Sequence, residues 1–455
     1  MDRTVDVVVI GMGPGGEEVA GRLAQAGLDV VGVENTLVGG ECPYWGCVPS
    51  KMMIRAAGLL AEARRIPGMA GQISVTPDYA PVAARIRDEA TATWDDTVAV
   101  DRFIGKGGTF VRGTGRLIGP GRVRVGDDVF AARRGVVLAT GARPAIPPID
   151  GLAGTPYWTN RHAIEAETPP ESLIVLGGGA IGAELAQAFA RFGTQATVVE
   201  AADRLLPLEE PEAGALLADV LTRDGLTVRT GAGATAVRHD GSGFTVTVNG
   251  EQLSGQRLLV ATGRRVDLAS LGVDTIGLDP TARRLDVDAH LRVADGVWAV
   301  GDVTGQGAFT HVAMYQAGIA VASILGQDGA AADYHALPRV TFTDPEIGSV
   351  GLTEAQARAA GLRARTGTSQ VPSSARGWIH KASNDGFIKL VEDTDRGVLV
   401  GATSAGPHGG EVLGALTVAV HAAVPVQTLR QMIYAYPTFH RGIEDALRAL
   451  GPTGS

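Results

Sequence analysis

Val5-Asp6-Val7-Val8-Val9-Ile10 runs straight into Gly11-Met12-Gly13-Pro14-Gly15-Gly16, and the junction between them decides the fold. A short apolar run that ends in glycine reads as a buried parallel strand. A helical stretch to Ala26 and a second apolar run, Val30 to Glu34, complete a βαβ unit. The same order returns as Leu173-Ile174-Val175-Leu176, then Gly177-Gly178-Gly179-Ala180-Ile181-Gly182, a helix to Phe192 and a strand from Thr197 to Glu200. The chain therefore carries two units of one kind.

In each unit the first glycine, Gly11 or Gly177, serves the tight turn. The second, Gly13 or Gly179, lets backbone approach a pyrophosphate, and the third, Gly16 or Gly182, lets the helix pack closely on the strand. The helix N-terminus then faces the phosphates. One such pattern is weak, because glycine-rich turns are common. Here an acidic residue follows the last glycine by eighteen positions in both copies, Glu34 and Glu200, each placed to bind a ribose hydroxyl pair. Equal spacing and matching flanks imply two bound dinucleotides. Glu200 favours NAD over NADP, since a carboxylate repels a 2′-phosphate, although Arg204 nearby can offset that repulsion.

A chain of 455 residues exceeds what one core organises, so several domains are expected. Hydrophobic residues make up 45% and charged residues 20%, the balance of a globular protein, and no apolar run reaches bilayer-spanning length. The formal charge of −9 argues against nucleic acid or anionic membrane as a main partner and leaves small molecules. Met1-Asp2-Arg3-Thr4 leads into Val5 without the features of an export signal, so a cytoplasmic location is expected. The only two cysteines, Cys42 and Cys47, stand five positions apart. In a reducing compartment so close a pair is catalytic, metal-binding or simply two inert buried thiols. Without a second pair or nearby histidines it makes a poor zinc site, and no metal is expected.

Gly39-Gly40-Glu41-Cys42-Pro43-Tyr44-Trp45-Gly46-Cys47-Val48-Pro49-Ser50-Lys51 resembles the pyridine nucleotide-disulfide oxidoreductases, the family of glutathione reductase, dihydrolipoamide dehydrogenase and mercuric reductase. The likeness covers nearly the whole chain. Val137-Leu138-Ala139-Thr140-Gly141 and Val260-Ala261-Thr262-Gly263 resemble the turns that close its dinucleotide domains. Ala299-Val300-Gly301-Asp302-Val303 resembles its second FAD segment, and Thr341 to Leu352 the opening of its dimer-forming domain. The resemblance implies an α/β protein with two Rossmann-like domains, for FAD and NAD, and a C-terminal α+β dimerisation domain. The implied segments are FAD domain 1–150, NAD(P) domain 151–268, second FAD part 269–335 and interface domain 336–455. FAD is implied to bind through Gly11, Gly13, Gly16, Glu34, Gly40, Lys51, Thr140, Gly141 and Asp302, the last on the ribityl chain, with the backbone near His311 beside the flavin ring. For the His311 side chain, local packing is the simpler expectation. NAD(H) is implied to bind through Gly177, Gly179, Gly182, Glu200 and Gly263. A homodimer is implied as well.

The pair must serve two partners, with one sulfur near the flavin and the other open to an acceptor. Cys42 and Cys47 are a little over one helical turn apart, so a bridge between them needs a distorted helix, which Gly46 permits and Pro49 is expected to limit. By resemblance Cys47 is the flavin-proximal sulfur and Cys42 the interchange sulfur. Lys51 and Glu184 look like the family's lysine at the flavin edge and its carboxylate partner beside the nicotinamide, with a surface ion pair or no contact as the alternative. Tyr44 and Trp45 are bulkier than usual in this loop and read as packing before substrate contact.

The disulfide reductases of the family place a histidine before Pro-Thr and a glutamate five positions later, a proton-handling pair contributed by the other subunit. Here Tyr434-Ala435-Tyr436-Pro437-Thr438-Phe439-His440-Arg441 puts Tyr436 and Arg441 in those places. A phenol ionises near about 10, too high to replace an imidazole base at neutral pH. Tyr436 can instead donate a hydrogen bond, while Arg441 can favour phenolate or bind an anionic substrate. Mercuric reductase shares the tyrosine. Its paired tail cysteines are not matched by Gly451-Pro452-Thr453-Gly454-Ser455, and no cysteine-bearing domain is expected before residue 1. His440 with Glu444 and Asp445 offers a displaced histidine-carboxylate pair, against the plainer expectation of a surface histidine. Three functions stay open: an NAD(P)H-dependent reductase passing electrons through FAD and the cysteine pair to a disulfide, a quinone or metal-ion reductase using the pair as relay or regulator, and a non-catalytic redox-sensing flavoprotein.

Overall fold

The computed structural model describes residues 2–452; Met1 and the tail residues 453–455 lie outside it. The described residues divide into two compact units, one built from 2–50, 83–145 and 263–333, the other from 51–82, 146–262 and 334–452.

In the first unit β1 (Asp2–Ile10) is followed by α1 (Pro14–Gln25) and β2 (Val30–Glu34). β1 pairs in parallel with β2 on one side, from Val7 with Val30 to Ile10 with Val33, and with Asp128–Leu138 on the other. Val297–Ala299 and Thr109–Arg112 extend the sheet in parallel at either side. Val5, Val7, Val8 and Val9 are all wholly buried, because both faces of a parallel sheet are covered. One face packs against α1 and the helix Thr310–Leu325, the other against a layer that includes Leu117, Leu268, Leu271 and Leu285.

The second unit repeats the plan. Ser172–Leu176 pairs in parallel with Gln195–Val199 and with Arg257–Val260, with the helix Ala180–Arg191 between the first two in sequence. The second strand starts two residues earlier than its apolar pattern suggests, since Gln195 and Ala196 pair with Ser172 and Leu173 despite being polar and small. A five-stranded antiparallel sheet follows, ordered Pro338–Thr341, Glu346–Gly351, Val398–Gly406, Phe387–Asp393 and Ala364–Gln370, and it packs on the helices Gly409–His421 and Gly442–Ala449. Among the described residues no helix is long and apolar enough to cross a membrane.

Candidate active site

The two glycine turns are built alike down to single hydrogen bonds. The Gly11 N–H donates to Val33 O and the Gly177 N–H to Val199 O, each at 2.8 Å. Ala139 and Ala261 each donate back to the end of the strand alongside, to Ile10 O and Leu176 O, again at 2.8 Å. A Cβ on Gly11 would run into Ala139 O, and one on Gly177 into Ala261 O; both residues have positive φ, +93° and +108°. A Cβ on Gly16 or Gly182 would strike the carbonyl of Gly11 or Gly177, so the third glycine is needed for the helix to close on its strand. Gly179, by contrast, faces open space, and Gly13 meets only the Cα of Gly40 at 4.0 Å. The first and third glycines are consumed by packing and the second leaves backbone uncovered, which fits a pyrophosphate in each turn. Thr140 is exposed, and Gly141 and Gly263 also border open space.

Glu34 and Glu200 repeat the parallel. Glu34 accepts from the Met12 N–H at 2.8 Å and the Thr36 N–H at 2.8 Å; Glu200 accepts from the Gly178 N–H at 2.6 Å and the Ala202 N–H at 2.7 Å. Each carboxylate thus anchors the turn it is expected to serve. Arg204 is directed to Asp203 and to the Pro207 carbonyl. Asp302 stands in a short turn with its side chain 22% exposed, 3.5 Å from Arg264. Burial pushes its carboxyl above the usual range, with the Arg264 charge opposing. His311 is exposed and its ring stacks on Phe309 at 5.2 Å.

Around the cysteines the helix is broken as the spacing demands. Cys42 lies in the single turn α2 (Glu41–Tyr44), and Cys47 opens α3 (Cys47–Arg65), with Trp45 and Gly46 between. Pro49 does not limit α3: it falls in the first turn, where backbone N–H groups have no helical partner, and the helix runs on for 19 residues in all. Tyr44 and Trp45 are buried and pack together with ring centroids 5.8 Å apart. Gly40 packs its backbone on Gly13, which sets the cysteine loop against the first glycine turn.

The two sulfurs are unbonded thiols here, Cys47 exposed and Cys42 half-buried. The Cys42 thiol is pushed far above its usual range, first by its hydrogen bond with Cys47 and then by burial, while a bond from the Thr310 hydroxyl works the other way. Thr310 Oγ1 also lies 3.4 Å from Cys47 Sγ. Cys47 stands at the N-terminus of α3, where the helix dipole favours a thiolate. Thr310 was missed from sequence, though it adjoins His311 and opens a helix.

One turn further along α3, Lys51 Nζ sits 2.8 Å from Glu184 Oε2. Glu184 is 6% exposed, so this is no surface pair, and its other oxygen accepts from the Phe342 N–H at 2.7 Å. Lys51 also lies over the Phe342 ring, 4.7 Å from its centroid. The helix bearing Glu184 grips the same segment again at one-turn intervals. Gln187 accepts from the Asp344 N–H at 2.8 Å and donates to its carbonyl at 2.9 Å, and Arg191 pairs with the Asp344 carboxylate at 2.7 Å. Arg65, at the end of α3, holds the same carboxylate. Burial pushes the Asp344 carboxyl up, but Arg191 and Arg65 outweigh it and hold it below the usual range.

At the C-terminal segment Tyr436 is 69% exposed and Arg441 lies over its ring, 5.4 Å from the centroid. The displaced histidine-carboxylate pair does not form. Glu444 is taken by Arg441 at 3.1 Å and Arg448 at 2.7 Å, and Asp445 by Arg448, because charged guanidinium outcompetes imidazole for carboxylate. His440 instead lies 3.5 Å from the Thr438 hydroxyl.

Comparison with known proteins decides what this arrangement is. The pyridine nucleotide-disulphide oxidoreductase signature matches residues 5–317, and the dimerisation domain of the same family matches residues 337–447. The chain belongs to this family. Dihydrolipoyl dehydrogenase of Haloferax volcanii is 33% identical, over 98% of this chain and 96% of its own length. Mercuric reductase of Streptomyces lividans is 33% identical, over 96% and 94%. Among solved structures, the Cu(II) complex of the HOCl-induced flavoprotein disulfide reductase RclA from Escherichia coli superposes with a TM-score of 0.86 at 26% identity, covering 98% of this chain and 99% of that one. LpdA from Mycobacterium tuberculosis does so at 0.85 and 29% identity, covering 98% and 100%. This family member is an FAD-dependent, NAD(P)H-linked disulfide oxidoreductase with the two-dinucleotide fold expected from its sequence and a dimerisation domain.

Proposed function

We propose that the enzyme takes electrons from NADH and delivers them from Cys42 to a small disulfide whose thiol leaves readily. FAD, when bound, carries the electrons between nicotinamide and the cysteine pair. The first glycine turn, Glu34 and Asp302 would hold FAD; the second turn and Glu200 would hold NAD. Lys51 and Glu184 would fix the hydride-transfer geometry. The preference for NADH rests on Glu200 meeting the ribose side and on Arg204 being turned to Asp203 and Pro207. A reducing compartment such as the cytoplasm suits two neighbouring thiols.

The observation that carries the acceptor reading is the hydrogen-bonded sulfur pair combined with a tyrosine in place of an imidazole. Through that hydrogen bond Cys42 can pass its proton to Cys47, and its thiolate then attacks the acceptor disulfide and expels one thiolate. Cys47 gives its proton to solvent water and attacks the Cys42 sulfur, breaking the mixed disulfide; this releases the second thiolate and restores the Cys42–Cys47 disulfide for reduction by NADH. Tyrosine rather than imidazole stands at position 436, so the leaving thiolate has no imidazolium proton donor from that residue and acidic thiols, which leave faster, are favoured. A second reading, metal-ion reduction, is favoured by the relatives named mercuric reductase and by the Cu(II) complex of RclA. NADH oxidation with an aromatic disulfide, an aliphatic disulfide, a quinone and Hg(II) or Cu(II) salts separates them. The aromatic disulfide is expected to react fastest and to lose that activity in Cys42→Ser. Disulfides left unreduced, with quinone or metal turnover equal in wild type and variant, would overturn the proposal.

A further inference from the structure

Beside Tyr436 the surface folds into a shallow hollow, open to solvent and lined by Ser374, Arg376, Tyr436, Thr438, Arg441 and Asp445. Its charges do not balance. Arg441 and Arg448 share Glu444, and Asp445 is held by Arg448. Arg376 has no carboxylate partner among the described residues; half-buried, it lies over the Phe439 ring, 5.3 Å from the centroid. Three guanidinium groups thus meet two carboxylates, and the surplus positive charge sits on Arg376. The surplus stands out in a chain whose formal charge is −9. The Ser374 hydroxyl is spent on its own backbone, donating to Val371 O and accepting from the Gly377 N–H. What the hollow offers a ligand is two stacked guanidinium groups and the Tyr436 phenol.

We propose that this hollow binds a carboxylate on the electron acceptor, so that Arg376 and Arg441 select anionic disulfides. The proposal rests on the disulfide reading above and narrows it to a substrate class. A planar guanidinium presents paired N–H donors that match a carboxylate, and an aromatic ring beneath each keeps the plane in place. The hollow is shallow and open to solvent, so it meets one charged arm while the rest of the acceptor stays outside. Histidine and glutamate at positions 436 and 441 would leave a carboxylate facing that arm; tyrosine and arginine invite it.

The test uses the full-length, FAD-loaded enzyme and two disulfides with acidic leaving thiols, the dianionic dithiobis(nitrobenzoate) and the neutral dithiodipyridine. The ratio of kcat/KM for the anionic over the neutral probe is expected to fall at least tenfold in Arg376→Gln, to recover in part in Arg376→Lys, and to fall with added salt in the wild type. An unchanged ratio in Arg376→Gln overturns the proposal. Binding of nitrobenzoate, which carries the carboxylate but no sulfur, is measured calorimetrically on the oxidised enzyme. At least tenfold weaker binding in Arg376→Gln supports the pocket, and equal or no binding in both proteins overturns it. If the wild type reduces neither disulfide, the acceptor reading fails, and the nitrobenzoate titration alone decides the pocket.

Discussion

Glu184→Gln tests the pairing on which hydride transfer is proposed to depend. Glu184 accepts two N–H groups on separate oxygens, Lys51 at 2.8 Å and the Phe342 amide at 2.7 Å. Glutamine has the same shape but only one acceptor oxygen, so whichever partner it keeps, its NH₂ faces the other, a donor against a donor. A hydrogen bond to a charged group contributes about 1.5–3 kcal/mol, and the ionic part is discounted here because the Lys51 side chain is 36% exposed. A loss near the lower half of that range, placed on the transition state, slows the step roughly ten- to fiftyfold. The assay is anaerobic stopped-flow, following flavin bleaching after mixing with NADH. A Gln variant that is reduced at the wild-type rate refutes the role assigned to the pair, even if the variant melts at a lower temperature.

Asp344→Asn leaves Arg191, 6% exposed, with only Asp224 at 3.4 Å and is expected to cost about 1–3 kcal/mol, below a fully buried pair because Asp344 keeps 26% exposure and Asp224 remains. Because the Asp344 carboxyl titrates below its usual range, its contribution is present above the unfolded value near about 4 and is lost as pH falls through the folded one. Melting temperature against pH should therefore fall more gently on the acid side in Asp344→Asn, and an unaltered profile would count against the network. Gly182→Ala, whose Cβ strikes Gly177 O, should keep a full complement of flavin per chain yet lose NADH-driven reduction; loss of flavin would show that the two turns are assigned the wrong way round. Thr310→Val removes the hydroxyl that favours ionised sulfur in the pair, so thiolate absorbance in the reduced enzyme should titrate at higher pH. A downward shift would contradict the contact.

The part of this site that was legible in the sequence is the part built from local repeats. The glycine spacing and the acid eighteen positions on could be read because each unit folds within one strand-helix-strand passage, and the hydrogen bonds of Glu34 and Glu200 follow that spacing. Pro49 misled because its effect depends on its place in the helix: inside the first turn it is harmless. Thr310 is 263 positions from Cys47, and Asp344 is 153 positions from Arg191, so neither contact leaves a periodic trace. Arg376 carried no signal at all. Its meaning comes from its having no carboxylate partner among the described residues where the fold brings it beside Tyr436 and Arg441.

The central claim is that electrons entering from NADH come to rest on Cys47 and Cys42. Anaerobic titration with one equivalent of NADH, followed by counting thiols after rapid denaturation and by recording the absorption spectrum, tests it directly. The wild type should gain two titratable thiols per chain and a long-wavelength charge-transfer band, and Cys47→Ser should show no such band. A wild-type enzyme that takes up the equivalent with bleached flavin, no new thiols and no long-wavelength absorption would contradict the account.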